Sequence, residues 1–433
     1  MASRCVSGRA RGVFFTVATG ETMTFETILT HAVPVMVLLG VILAAQRKFG
    51  RPVAKRPALV LALGLFFGLA IRAAKVDVMP PDMAALFASA GLGLFGFASA
   101  AQIRVSRLAA TCPESLALTT RAAPLFFVIC TLTTFIMLPS IGMAVAALIS
   151  AALMLNGAAF DRAAISGAPT PRAVKRIVKL EGAAVVVLGV PVAVFAAAIA
   201  ATPGMGEPAA GPLLSASFGV FKGFLFGGAF GLASGLLGTF LRKTVKRRRA
   251  DMYVAPIAAA ASFGLSPAIG ADPIVAATAA GLLWGEQTKG AAATRTQLNL
   301  LAERLICPTT YFWFGALVLP RIFSAELLPV LLAVSAVTIL RAGPRLAILQ
   351  RTKLPPESQR FLAWYGGAPG AGTALFLMTL IGNPAISDID TILNVGALCV
   401  GAGVIIARGS SKPLISELLR QTANARRRRA YTE

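Results

Sequence analysis

The sequence predicts an all-α polytopic membrane protein of about thirteen transmembrane helices, and three observations carry that expectation. Of its 433 residues 56% are apolar and only 14% charged, with a mean hydropathy of +0.75. Water does not solvate the surface of a chain with that composition, whereas lipid does. The apolar residues are gathered into stretches near the ~20 residues a spanning helix needs. The Lys and Arg residues fall almost entirely in every second gap between those stretches.

Taken in order, the apolar segments are 28–45, 58–73, 83–103, 122–138, 141–157, 180–200, 212–241, 252–264, 273–285, 308–320, 325–341, 361–381 and 389–407. Counting Lys and Arg against Asp and Glu, the gaps 46–57, 104–121, 158–181, 242–251, 286–304 and 341–360, with the tail 408–433, sum to +25. The gaps between them sum to −4. Short basic loops stay cytoplasmic, so the first set faces the cytoplasm, the carboxy terminus with it, and the amino terminus lies outside. Several segments are shorter than a perpendicular span. Short or broken helices persist at membrane depth only where protein or an aqueous cavity covers their backbone.

Three regions follow from this pattern. Residues 1–26 form an amino-terminal segment with Arg4, Arg9 and Arg11 and a brief apolar run at 12–18, too short for a signal peptide. Met23 is an alternative start. Residues 27–407 form the transmembrane domain, and 408–433 a basic cytoplasmic tail. The net charge of +23 invites a nucleic-acid reading. Its placement in alternate loops instead makes it a topology determinant, with Arg426–Arg429 suited to anionic lipid headgroups and no nucleic acid expected.

The chain has five cysteines without paired spacing and a single histidine, His31. No zinc site and no Cys/His nucleophile can be assembled from these, so an enzyme, a cofactor and a resident metal are not expected.

Two segments are interrupted. The fifth ends in Leu155-Asn156-Gly157-Ala158, where Asn and Gly weaken helix continuation. The twelfth contains Gly366-Gly367-Ala368-Pro369-Gly370-Ala371-Gly372, and four glycines with a proline in seven residues unwind a helix. The two lie seven spans apart, so if spans 1–6 and 8–13 are repeats they occupy corresponding places in halves of opposite orientation. Interrupted helices so placed mark a transport site. The competing reading is that small residues there permit close helix packing.

Phe263–Ala271, Phe361–Gly370, Leu180-Glu181-Gly182 and Arg341, in that company of spans, resemble motifs of the monovalent cation:proton antiporter superfamily. Phe263–Ala271 followed by Ala280-Gly281-Leu282-Leu283 is similar to a motif of the potassium-efflux branch. Phe361–Gly370 is similar to the twelfth-span motif of sodium/proton exchangers, with Gly-Gly-Ala-Pro-Gly in place of Gly-Pro-Arg-Gly. Leu180-Glu181-Gly182 resembles the start of the family's sixth span, and Arg341 a membrane-embedded family arginine. The resemblance implies inverted repeats with crossing interrupted helices, a monovalent cation (sodium or potassium) and a proton as substrates, a homodimer, and a bacterial inner membrane.

The departures are as informative as the matches. The family's fifth span carries Asp-Pro at its break, and here those positions read Leu153-Met154 or Ala159-Phe160. The sixth span carries the exchanging Asp, and here Ala183–Gly189 has no carboxylate. A carboxylate that holds either cation or proton is what couples the two fluxes. The remaining ion and proton candidates are Ser150, Asn156, Asp161, Glu181 and Arg341. Asp161 also reads as a loop partner of Arg162, Glu181 as a helix-start carboxylate, and Arg341 as a topology charge. The functional expectation is an antiporter with an atypical ion site, and its rival is a family member without coupled exchange, acting as sensor, partner subunit or passive pathway.

Overall fold

The structure, a computed structural model, describes residues 57–75, 79–156, 170–202, 210–244, 250–288, 298 and 301–430. The first expected span, 28–45, and the site candidates Gly157 and Asp161 lie outside the described residues. Each of the other twelve expected spans overlaps a described helix. Among these residues eight helices are long and apolar enough to cross a membrane, with two shorter apolar helices beside them.

In chain order the elements are α1 (Pro57–Ala74), α2 (Pro81–Ala100), α3 (Pro113–Met137, with a π-helical turn at Leu118–Ala122) and α4 (Met143–Met154). Next come α5 (Arg172–Ala200), α6 (Ala210–Thr244), α7 (Ala250–Leu265), α8 (Pro273–Gln287) and α9 (Cys307–Leu317). The last are α10 (Leu327–Val337), α11 (Ile339–Leu349), α12 (Pro356–Tyr365), α13 (Ala371–Thr379) and α14 (Ile389–Ala430).

Prolines at the first helical positions of α2, α8 and α12 start those helices where their missing N–H costs nothing. Asp272 caps α8 with its side chain, accepting from the backbone N–H of Ile274 at 3.0 Å and of Val275 at 2.8 Å.

Among the described residues several helix pairs meet backbone to backbone, α6 with α8 and α1 with α9 among them. On α6, glycines at four-residue spacing face α8, and a Cβ at Gly235 would lie 2.9 Å from the Ala280 carbonyl oxygen. Gly227 and Gly231 meet Asp272 and Ala276 in the same register. On α1, Gly64 and Gly68 receive the carbonyls of Phe312 and Ala316 from α9, while Gly315 receives that of Leu61 in return. With no hydrophobic gain between helices in lipid, this close dispersion contact is what associates them. Large apolar side chains such as Phe218, Phe221, Leu225 and Phe240 of α6 remain exposed, as a lipid-facing surface requires.

Three boundaries differ from the sequence expectation. The sixth span was expected to start at 180, but α5 starts at Arg172, so Glu181 sits inside a helix rather than at its first turn. The eleventh was expected to end at 341, with Arg341 at the cytoplasmic edge. Helix α11 instead carries the span on to Leu349 and buries both Arg341 and Arg345. The two arginines are one helical turn apart on a single face and turn inward. Finally, α14 continues for 42 residues to Ala430 without a break at 408.

Candidate ion site

The glycine-rich stretch of the twelfth segment is unwound. Helix α12 stops at Tyr365, α13 starts at Ala371, and Gly366 to Gly370 connect them in non-helical backbone. Helix α4 likewise ends at Met154, with Leu155 extended. The two breaks cross: Asn156 and Pro369 form an isolated antiparallel bridge. The Thr373 hydroxyl donates to the Leu155 carbonyl, which the end of α4 leaves without a helical partner.

A Cβ at Gly372 would stand 2.7 Å from the Asn156 carbonyl oxygen, so the approach of the two chains requires glycine there. From the other side α14 touches the break, with the place of a Cβ on Gly403 only 2.8 Å from the Pro369 carbonyl oxygen.

Beside the crossing lies a buried charged cluster. Glu181 of α5 is fully buried and receives both terminal nitrogens of Arg345: Nη1 to Oε1, and Nη2 to Oε2 at 2.9 Å. Such a two-pronged guanidinium–carboxylate pair is among the strongest side-chain contacts. Nη2 of Arg345 also donates to the Leu362 carbonyl at 2.9 Å. Arg341, 4% exposed, donates through Nη2 to the Trp364 carbonyl at 2.7 Å. Both arginines therefore hold carbonyls in the last turn of α12, where a cation is favoured by the helix dipole.

Gly366 and Gly367 let the Arg345 guanidinium pass over the broken backbone. A Cβ at Gly366 would collide with Nη2, and Gly367 takes φ +74°, a left-handed conformation open to glycine.

A cavity of about 30 Å³ opens between these groups, lined by Asn156, Glu181, Arg341, Arg345 and Gly367 on its polar side. That volume admits a water molecule or one small ion. Met154 and Val185 close its apolar wall. Val185 belongs to the stretch 183–189 in which the sequence shows no carboxylate, so the wall there is hydrocarbon.

The structure thus brings together Asn156, Glu181, Arg341 and the glycine break. Ser150 stands apart: its hydroxyl bonds the Ala146 carbonyl of its own helix at 3.0 Å and does not line the cavity. Sequence reasoning missed Arg345 and Thr373. The spacing of Arg341 and Arg345, one turn apart at a helix end, was a signal for the first. Nothing in the sequence singled out the second.

Crossed, unwound helices within an apolar bundle, with buried charges at the crossing, define a polytopic transport protein. The sequence matches the family described as the transmembrane sodium/hydrogen exchanger over residues 35–401, and the chain belongs to that family. Its members are transporters and not enzymes. The fold is similar to that of the sodium proton antiporter MjNhaP1 from Methanocaldococcus jannaschii at pH 8, with a TM-score of 0.68 and 18% identity, covering 91% of this chain and 99% of that one. An electron-microscopy structure of the same antiporter matches with a TM-score of 0.62 and 18% identity, over 92% and 99% of the two chains. No curated protein sequence matches the chain.

Proposed function

We propose that the protein is a secondary active transporter that exchanges a monovalent cation, sodium or potassium, for protons through an ion site built differently from its relatives'. The observation that carries this reading is the Asn156–Pro369 crossing with the buried Glu181 and a small polar cavity against it. Unwound backbone supplies carbonyl oxygens for a dehydrated cation, and Glu181 is the cavity's carboxylate among the described residues. Asp161, one turn past the fifth-span break in sequence, is the second proton candidate. Alternating access in such a bundle comes from one block of helices rocking against another.

In vesicles reconstituted with the purified protein and a pH dye, addition of sodium, potassium or lithium should dissipate a preset proton gradient. A second reading, a family member without coupled exchange, is favoured by one specific feature: Arg345 engages both oxygens of Glu181, so the carboxylate already has a resident cation while the pair is closed. Gradients that survive all three cations would establish that second reading.

The orientation read from the loop charges belongs to the same proposal. The carboxy-terminal tail and the loop 242–251 face the cytoplasm of a bacterial inner membrane and the amino terminus lies outside, with anionic lipids at the basic loops and a homodimer as the working unit. A reporter active only in the cytoplasm should work when fused after Arg429 and fall silent when inserted near Glu207. The reverse pattern would invert the topology.

A further inference from the structure

Helix α14 does not stop where apolar composition stops. Past residue 407 it runs alongside α12 and touches it at successive levels. The Trp364 indole N–H donates to the Ser410 hydroxyl at 3.3 Å. One turn and more beyond, Leu418 is buried in an apolar cluster separate from the main core. That cluster joins Val174 and Ile177 of α5, Leu349 of α11, and Phe361 and Leu362 of α12, with Leu414 and Ile415 packed against it.

These three helices are the ones that hold the site. Glu181 lies one turn beyond Ile177 on α5, and the carbonyls of Leu362 and Trp364 are those bound by Arg345 and Arg341. Displacing α12 therefore moves the charged cluster with it.

The distal part of α14 also has a point at which it can bend. Pro413 lies inside the helix and has no N–H for the carbonyl of Gly409. Gly409 itself stands in open space. Bending there would release residues 414–430 and leave the packing of residues 389–406 undisturbed.

We infer that residues 410–430 form a regulatory strap that restrains α12, and through it the rearrangement of the ion site. This rests on the transport reading given above. Among the described residues, the strap's hold includes the Trp364–Ser410 hydrogen bond and the apolar side chains around Leu418. Burial of Leu418 alone shifts a two-state equilibrium by about tenfold to a hundredfold, enough to regulate.

The test compares the full chain in lipid nanodiscs with Leu418→Ala and with a chain ending at Ser411, the melting temperature of each confirming that it is folded. Backbone amides of 356–365 should exchange with deuterium at least about tenfold faster in both variants. In vesicles the initial rate of cation-driven proton flux should rise several-fold. Unchanged exchange overturns the strap, and so does faster exchange with flux that stays level or falls. If the full-length chain carries no flux with any cation, the transport reading fails on its own, and exchange alone decides whether α12 is restrained. The Leu418→Ala variant keeps the question answerable should the shortened chain not fold.

Discussion

Replacing Arg345 with alanine should cost the protein about 3–5 kcal/mol of stability, because it removes the two-pronged guanidinium contact from the fully buried Glu181 carboxylate. The same change removes the donor that holds the Leu362 carbonyl, so α12 loosens as well. The double variant Glu181→Leu with Arg345→Leu removes both charges and should regain most of that stability while remaining inactive. Unfolding followed by temperature in detergent, beside flux in vesicles, reads the two effects separately. A double variant no more stable than Arg345→Ala would show that the pair is not the unit described here.

The proton question is answered on the same background. Glu181→Gln keeps the shape and removes the titration. Loss of cation-driven proton flux in that variant with folding intact makes Glu181 the carrier once the pair opens. Flux at the level of the unaltered protein transfers the role to Asp161, with Asp161→Asn as its complement.

The second large effect is expected at Gly372. Valine there places a Cβ 2.7 Å from the Asn156 carbonyl oxygen and adds two methyls to the same crowded space, so the end of α4 and the start of α13 must separate. Overpacking of this kind costs about 1–3 kcal/mol, which a bundle of this size tolerates. A displacement near 1 Å at a site that must surround a small ion costs on the order of a hundredfold in rate. Gly372→Val should therefore fold, insert and show unchanged helix content by circular dichroism while losing at least about 99% of flux. Retention of flux would separate the crossing from transport.

Much of this architecture was legible before any coordinates. Alternating loop charge and apolar length place the spans, and the crowding of Gly366, Gly367, Pro369, Gly370 and Gly372 marks the broken helix, because backbone chemistry is local. The charged cluster was legible only in part. Glu181 and Arg345 are 164 residues apart, and no local pattern announces a pair at that separation. Arg345 also carried a second meaning. At the edge of an apolar stretch an arginine reads as a topology charge, and only the continuation of α11 to Leu349 turns it inward. Taking Arg341 and Arg345 out of the loop tally lowers the basic side by two and leaves its sign unchanged. The extension of α14 was missed because hydropathy ends at 407, whereas helix formation does not depend on apolar composition.

The carbonyl-to-glycine seams of the bundle bear on motion as well as on packing. A carbonyl lodged in the notch of an absent side chain behaves like a tooth in a rack: sliding by one residue drives it against the next Cβ. The pair α1 with α9 is toothed in this way at Gly64, Gly68 and Gly315, and the pair α6 with α8 at Gly227, Gly231 and Gly235, so each pair resists sliding. On the transport mechanism proposed above, the shift that exposes the site first to one side of the membrane and then to the other is taken up elsewhere, at seams filled by side chains that can change rotamer. The α5, α11 and α12 contact around Leu349, Phe361 and Leu418 is such a seam. The frame of the protein is set by its smallest residues, and its freedom to move by its larger ones.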